Sequence, residues 1–359
     1  MCAKQIHYNI DNISKENANF NLIYGEKSNG KSYQVKHKKA VLNYLETGER
    51  FILIRRWAED IKASWVEQYF ADVDIQKLTH NRYNCISLYK NAIYFSTLNE
   101  DYKVKRGEKI GYAIPLSLEQ RFSSASYLDV TNIIFEEFMS RGSYLPNEPN
   151  KLMTFYSTVD RKRGSTQLWL VGNTVSRICP YLSEWGLNNI MKTQKQGEIK
   201  TKIIHNESND VKIAVEFCKS SGGKTMAIGT AKNMIDFGNW QTDIQPKLPK
   251  SKKNYKILYR FGFMYKGFKF ICEYLVEKED FKNRCFFIYP FTKEFKDDFI
   301  VFSDEIRISK YWQRNIYDIS IKNDKLKRFF MNFKQNQIFF SDDLCGTDFK
   351  QVIDFEIRK

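Results

Sequence analysis

Histidine is scarce in this 359-residue chain, with four copies, and the seven cysteines never fall in C-x-x-C spacing. Neither His7, His37, His80 and His205 nor the scattered thiols offer the closely spaced ligands of a zinc site, and seven dispersed cysteines do not read as a disulfide framework. A nucleophile–histidine triad has no specific residues behind it. Long apolar runs are missing too. No stretch approaches the ~18–20 residues of a membrane span, and Met1-Cys2-Ala3-Lys4-Gln5 is not followed by the apolar segment of a signal peptide. A cytosolic location and no membrane partner are expected.

An apolar fraction of 42% is enough to fill ordinary cores, in a chain long enough for two domains. Lys and Arg number 57 against 42 Asp and Glu, a formal charge of +15. That balance suits a protein that handles a polyanion, but a Lys-rich proteome would produce it as well, so charge alone decides nothing.

Residues 25–32 read GEKSNGKS, a complete G-x-x-x-x-G-K-[ST] phosphate loop. The apolar run Phe20–Tyr24 precedes it and a helix-like stretch from Ser32 to Leu45 follows, which is the strand–loop–helix context the motif requires. Gly25 and Gly30 let the backbone turn so that successive N–H groups point at phosphates, Lys31 adds a point charge, and the Ser32 hydroxyl can hold Mg²⁺. The expected nucleotide-binding stretch is Gly25, Glu26, Lys27, Ser28, Asn29, Gly30, Lys31, Ser32 and Tyr33, with ATP and Mg²⁺ as the ligands.

Strand-like segments at Phe20–Tyr24, Phe51–Arg55, Asn132–Phe135 and Gln167–Val171 alternate with helical ones, the grammar of an α/β domain with a mostly parallel sheet. We place this ATPase domain at 1–192 and a polar interdomain linker at 193–253, a stretch with room for a small helix or hairpin of its own. An α+β domain follows at 254–359, built on about three antiparallel strands (Tyr255–Met264, Phe268–Val276 and Cys285–Tyr289). Helices are expected at Asp324–Phe333 and from a Ser341-Asp342-Asp343 cap towards Arg358.

Hydrolysis needs a metal-side carboxylate and a base for water, and both stand at the end of an apolar strand, Asn132-Ile133-Ile134-Phe135-Glu136-Glu137. Glu136 is expected on the metal side with Ser32, and Glu137 is expected as the base. Asp160-Arg161-Lys162-Arg163 closes the next helix and presents a candidate arginine finger for a neighbouring subunit, Arg161 first and Arg163 second. Asn173, at the end of the following strand, is a candidate to sense the γ-phosphate or orient water.

The phosphate loop, Phe51-Ile52-Leu53-Ile54-Arg55-Arg56, Tyr112–Ser117, the acid pair with Phe138, Tyr144-Leu145-Pro146-Asn147-Glu148 and Val159-Asp160-Arg161 together resemble the DNA-packaging ATPases of phi29-like small tailed phages, over residues 18–185 in order. The resemblance implies an ASCE-type P-loop translocase. It implies a homo-oligomeric, pentameric ring that pumps double-stranded DNA through a portal into a prohead in the host cytoplasm, with a structural packaging RNA among the conceivable partners. It carries Lys31 and Ser32 over as phosphate-loop residues, Glu137 as the catalytic glutamate and Arg161 as a finger acting in trans. It also implies an RNase H-like C-terminal domain without nuclease function. Where the family has Asp on the metal side this chain has Glu136, whose extra methylene lengthens the reach to the ion or to a water bound to it.

The first strand of the second domain, Tyr255–Met264, holds no carboxylate for a two-metal nuclease; Glu273, Asp304 and Glu305 lie elsewhere. For DNA, phosphate-tracking side chains without base readout are wanted: Lys103, Lys105 and Arg106 in a Gly-bounded loop, and Arg56, Lys62 and Lys90 in or beside loops. Two rival readings are a large terminase with an active nuclease and an ATP-gated DNA clamp. The missing first-strand acid argues against the former, and Glu137 with Arg161 against the latter.

Overall fold

The computed structural model describes residues 8–101, 103–142, 144–207, 209–223, 225–226, 228–229, 231–305, 307–313 and 324–357; Cys2, His7 and Arg358 lie outside them. The chain divides into two compact units, Met1–Val175 with Cys179–Asn239, and Ser176–Ile178 with Trp240–Lys359.

The first unit carries β1 (Phe20–Gly25), β2 (Arg50–Arg55), β3 (Cys85–Tyr89), β4 (Ala92–Leu98), β5 (Val104–Pro115), β6 (Val130–Glu136), β7 (Gln167–Asn173), β8 (Ile199–His205) and β9 (Asp210–Phe217). Their order in the sheet is β3-β4-β5-β2-β6-β7-β1-β9-β8. The central strands β2, β6, β7, β1 and β9 run parallel, joined by the Gly111–Pro115 end of β5. β1 is buried along its whole length, as the unbroken apolar run required. β7 lies between the phosphate-loop strand and the acid strand, the ASCE-type order. The tips of β1 and β6 are therefore two strand spacings apart, roughly 10 Å, on one carboxyl edge.

Three elements position the site. α1 starts in the phosphate loop at Lys31–Val35, passes through a π-helical stretch, Lys36–Leu42, and continues as Asn43–Thr47. It ends two residues beyond the expected Leu45, at Gly48 with φ +76°. α2 (Ala63–Phe70) buries Val66 and Phe70, and α3 (Glu148–Asp160) buries Leu152, Phe155 and Val159.

Two expectations are corrected here. The hairpin allowed for within 193–253 is present as β8 and β9, but it is not part of a linker: β9 pairs with β1 from Phe20↔Ile213 to Tyr24↔Phe217 and extends the first unit's sheet. β8 is an edge strand whose Lys200 and Lys202 alternate with its other side chains, and a charged edge reads as polar coil in sequence. Lys105 and Arg106 are not in a loop either. They lie on β5 opposite Thr97 and Ser96 of β4, and the ladder holds them extended.

The second unit carries β10 (Tyr255–Tyr265), β11 (Phe268–Glu277), β12 (Arg284–Pro290), β13 (Val301–Ser303), β14 (Trp312–Gln313) and β15 (Ile338–Phe340), in the order β14-β13-β10-β11-β12-β15. The expected three-strand meander is present. β13 and β14 extend it, β13 parallel to β10 and β14 parallel to β13, which is the RNase H-like arrangement. Lys266 and Gly267, both at positive φ, make its first turn. α4 (Asp324–Lys334) and α5 (Asp343–Ile357) pack Phe329 and Phe349 against Phe263 and Phe270, and the Asp342 carboxylate accepts the Cys345 N–H at 2.8 Å as the expected cap.

Candidate active site

The loop after β1 is shaped by its glycines. Gly30, at φ +95°, is the left-handed residue from which α1 departs, and a Cβ on Gly25 would meet the Cys218 side chain at 3.0 Å. Lys31 is 4% exposed and its ammonium donates to the Glu26 carbonyl, to Asn29 Oδ1 at 3.1 Å and to Asn173 Oδ1 at 3.3 Å. All three acceptors are neutral. Burial lowers the Lys31 pKa from its ordinary value, and the nearby Glu136 and Glu26 charges offset this only in part, without bonding the ammonium. A helix N-terminus, a left-handed glycine and a buried ammonium bonded only to neutral acceptors are a donor set that fits a polyphosphate. Asn173, a candidate from sequence to sense the γ-phosphate or orient water, stands at that ammonium.

Ser32 and Glu136, the two residues expected on the metal side, are in contact. Ser32 Oγ donates to Glu136 Oε2 at 2.9 Å, and the Tyr69 hydroxyl of α2 donates to Glu136 Oε1 at 2.7 Å. Burial pushes the Glu136 carboxyl above its ordinary pKa, while the bonds from Tyr69 and Ser32 act in the other direction. A hydroxyl and a carboxylate in contact, both oxygen donors, fit a hard divalent cation such as Mg²⁺. Glu137 follows at φ +59° with an exposed side chain, and Arg55 Nη2 bonds its Oε2 at 3.0 Å. The Arg55 guanidinium also lies 5.2 Å from the Trp65 ring and 3.6 Å from Asp60.

Several expected residues sit differently. The Glu26 side chain faces away from the loop, accepting the Ser221 N–H at 3.1 Å and the Ser220 and Ser221 hydroxyls, so only its backbone serves the loop interior. Lys27 and Ser28 are exposed, and the Tyr33 ring stacks on His37 with centroids 5.3 Å apart.

Arg56 is corrected outright: it is buried and cannot reach DNA. Its Nε bonds Glu148 at 2.7 Å and its other nitrogens reach the Phe138 carbonyl at 2.8 Å and the Glu137 carbonyl at 3.3 Å. Arg161, at φ +49°, is exposed and donates to the Ala125 carbonyl at 3.2 Å. Arg163 is spent on backbone, donating to Val130 and Val159 at 2.9 Å and to Asp160 at 3.0 Å, which removes the second-choice finger. Lys62, Lys90, Lys103, Lys105 and Arg106 are exposed, and Lys90 and Arg106 come together over the Tyr89 ring at 5.7 and 4.3 Å.

Sequence reading missed Tyr69, Arg55 as the partner of Glu137, and the buried set Arg56, Glu148 and Tyr181, in which Tyr181 bonds Glu148 at 2.8 Å. Arg55 and Glu148 stood within the quoted motifs, so their positions were visible without their roles. Tyr69 gave no signal, because one tyrosine on an amphipathic helix is indistinguishable from core.

In the second unit, Glu273 is buried with Lys252 at 2.7 Å and Arg260 at 3.7 Å. Asp304 instead accepts the Lys266 N–H beyond the end of β10. Arg260 and Tyr265 are about 17 Å apart along an extended strand, so these acids do not converge.

A family model described as podovirus DNA encapsidation protein (Gp16) matches residues 2–272. The DNA packaging protein of Bacillus phage B103 is 28% identical over 253 residues, covering 69% of this chain and 72% of that one. The DNA packaging protein of Bacillus phage phi29 is 26% identical over 269 residues, 74% of each chain. Among solved structures, a chain of the bacteriophage phi29 viral genome packaging motor assembly superposes with a TM-score of 0.56 at 22% identity, 98% of each chain being covered, which is a likeness of fold.

Proposed function

Since this chain belongs to the podovirus DNA encapsidation protein (Gp16) family, we propose that it is the ATP-hydrolysing motor that drives double-stranded viral DNA into a prohead, acting as a pentameric homo-oligomeric ring at the portal. The observation that carries the catalytic part is the meeting of Ser32 with Glu136 at 2.9 Å beside a buried Lys31. Lys31 and the loop N–H groups would hold the β- and γ-phosphates, and Ser32 and Glu136 would hold Mg²⁺. When bound, Mg²⁺ neutralises charge that develops on the phosphate oxygens.

Glu137 takes the proton from the attacking water once its carboxylate leaves Arg55, and Asn173 orients that water or senses the γ-phosphate. Arg161 serves the site of the adjacent subunit. Lys62, Lys90, Lys103, Lys105 and Arg106 track DNA phosphates, so binding is indifferent to sequence and weakens with salt. The RNase H-like unit docks nucleic acid or portal. Nuclease action is not part of the reading, because β10 offers no carboxylate and Glu273 is neutralised by lysine and arginine.

Nucleotide titration and turnover measured together test the assignment. Lys31→Ala is expected to lose ATP binding, whereas Glu137→Gln keeps it and loses turnover by about 10²–10⁴-fold. A larger turnover loss in Glu136→Gln than in Glu137→Gln would reverse the two acids.

A further inference from the structure

We propose that Tyr69 is a positioning residue for the metal-side carboxylate, holding Glu136 in the one orientation in which its second oxygen faces Ser32. The inference rests on the metal role given to Ser32 and Glu136 above, and it explains how a glutamate works at that place.

A glutamate has one more rotatable bond than an aspartate, so at the end of β6 its carboxylate can swing where a shorter acid could not. The two oxygens are nevertheless allotted: Oε2 to Ser32 Oγ at 2.9 Å and Oε1 to the Tyr69 hydroxyl at 2.7 Å. Neither donor belongs to the β6 strand. Ser32 comes from the first turn of α1 and Tyr69 from the last turn of α2, so the carboxylate is fixed from two sides.

Tyr69 is itself fixed. Its ring stacks on Trp65 at 5.2 Å and meets Phe70 edge-on at 4.9 Å, and the Lys36 ammonium lies 4.7 Å from the ring centroid. Lys36 also donates to the Tyr69 carbonyl and pairs with Asp72, which pins the end of α2 to α1. The ring is held by packing and the hydroxyl is left with one task. A carboxylate that ligates a metal gains most from an outer partner with this kind of rigidity, and losing such a partner typically costs about 10- to 100-fold in metal affinity.

The test is Tyr69→Phe in the full chain, which deletes one oxygen and keeps the ring. Affinity for a fluorescent ADP analogue is measured in EDTA and across a Mg²⁺ titration, with circular dichroism to confirm the fold. The half-saturating Mg²⁺ concentration is expected to rise about tenfold, while affinity in EDTA stays within twofold of the wild type. A merely structural role would weaken both together. Should Tyr69→Phe not fold, Tyr69→Met fills much of the same space without a hydroxyl and leaves Glu136 intact, and the same rise is expected. An unchanged Mg²⁺ requirement in whichever variant folds overturns the assignment of Tyr69. A wild-type chain that binds the analogue equally well with and without Mg²⁺ overturns the metal role of Ser32 and Glu136 itself, which separates the two failures.

Discussion

Three arginines near the acid strand look alike in sequence and have different fates because their surroundings differ. Arg56 is held in a buried network with Glu148, Tyr181 and two carbonyls just beyond β6, whereas Arg161 projects from a left-handed turn and Arg163 ties that turn to the strand before it. Truncating Arg56 leaves the Glu148 charge, whose side chain is 0% exposed, without its cation. Arg56→Ala is therefore expected to cost about 3–5 kcal/mol of stability, read as a lowered urea midpoint. Arg161→Ala, at an exposed site with one carbonyl contact, is expected to stay within about 0.5 kcal/mol of the wild type. Equal losses in the two variants would show that burial does not separate these residues.

At the scale of elements, the β8–β9 hairpin brings an acid into the core of the first unit. Glu216 on β9 is 6% exposed, accepts the Tyr8 hydroxyl at 2.7 Å, and is pushed up to about 7 by burial. Between an unfolded value near 4.5 and this folded value, the native chain binds the extra proton. Stability from this group is thus complete below pH 4.5, declines as pH rises, and is lost above about 7. Glu216→Gln removes the term and keeps an acceptor for Tyr8. Its unfolding free energy from urea titration is expected to match the wild type near pH 4.5 and exceed it at pH 8 by on the order of 3 kcal/mol, and no divergence between the two pH values would refute the buried titration.

For the whole molecule, a finger that acts in trans makes the ring, rather than the subunit, the catalytic unit. Alone, Arg161→Ala is expected to bind ATP normally and lose turnover by about 10³-fold or more. Mixed with Glu137→Gln subunits, some interfaces join an intact Arg161 to an intact Glu137, and ATPase activity should partly return. Arg161→Lys should rescue poorly, since an ammonium lacks the planar fork. Mixed assemblies shown to contain both subunits yet inactive at every ratio would exclude Arg161, and with Arg163 already occupied by backbone carbonyls no second choice remains in that turn.

The phosphate loop, the strand ending in Glu136-Glu137, the β10–β12 meander and the α5 cap were legible because each is a local pattern: glycine spacing, an unbroken apolar run, period-two alternation, an acidic cap before a helix. β8 was not legible, since an edge strand guarded by Lys200 and Lys202 has the composition of a linker. β3 to β5 also escaped: β3–β4 and β4–β5 are local antiparallel pairs, but the exposed, basic start of β5 has the composition of a loop. By itself the sequence determined that Lys31 and Ser32 end a phosphate loop after one apolar strand and that the acid pair ends another, which marks them as one candidate site. Which groups hold those residues was decided only in three dimensions: Tyr69 on Glu136, Arg55 on Glu137, Asn173 on Lys31 and the burial of Arg56. A hydrogen bond across 67, 82, 142 or 92 residues leaves no periodicity to read, because it depends on where whole strands and helices come to rest rather than on neighbours in the chain.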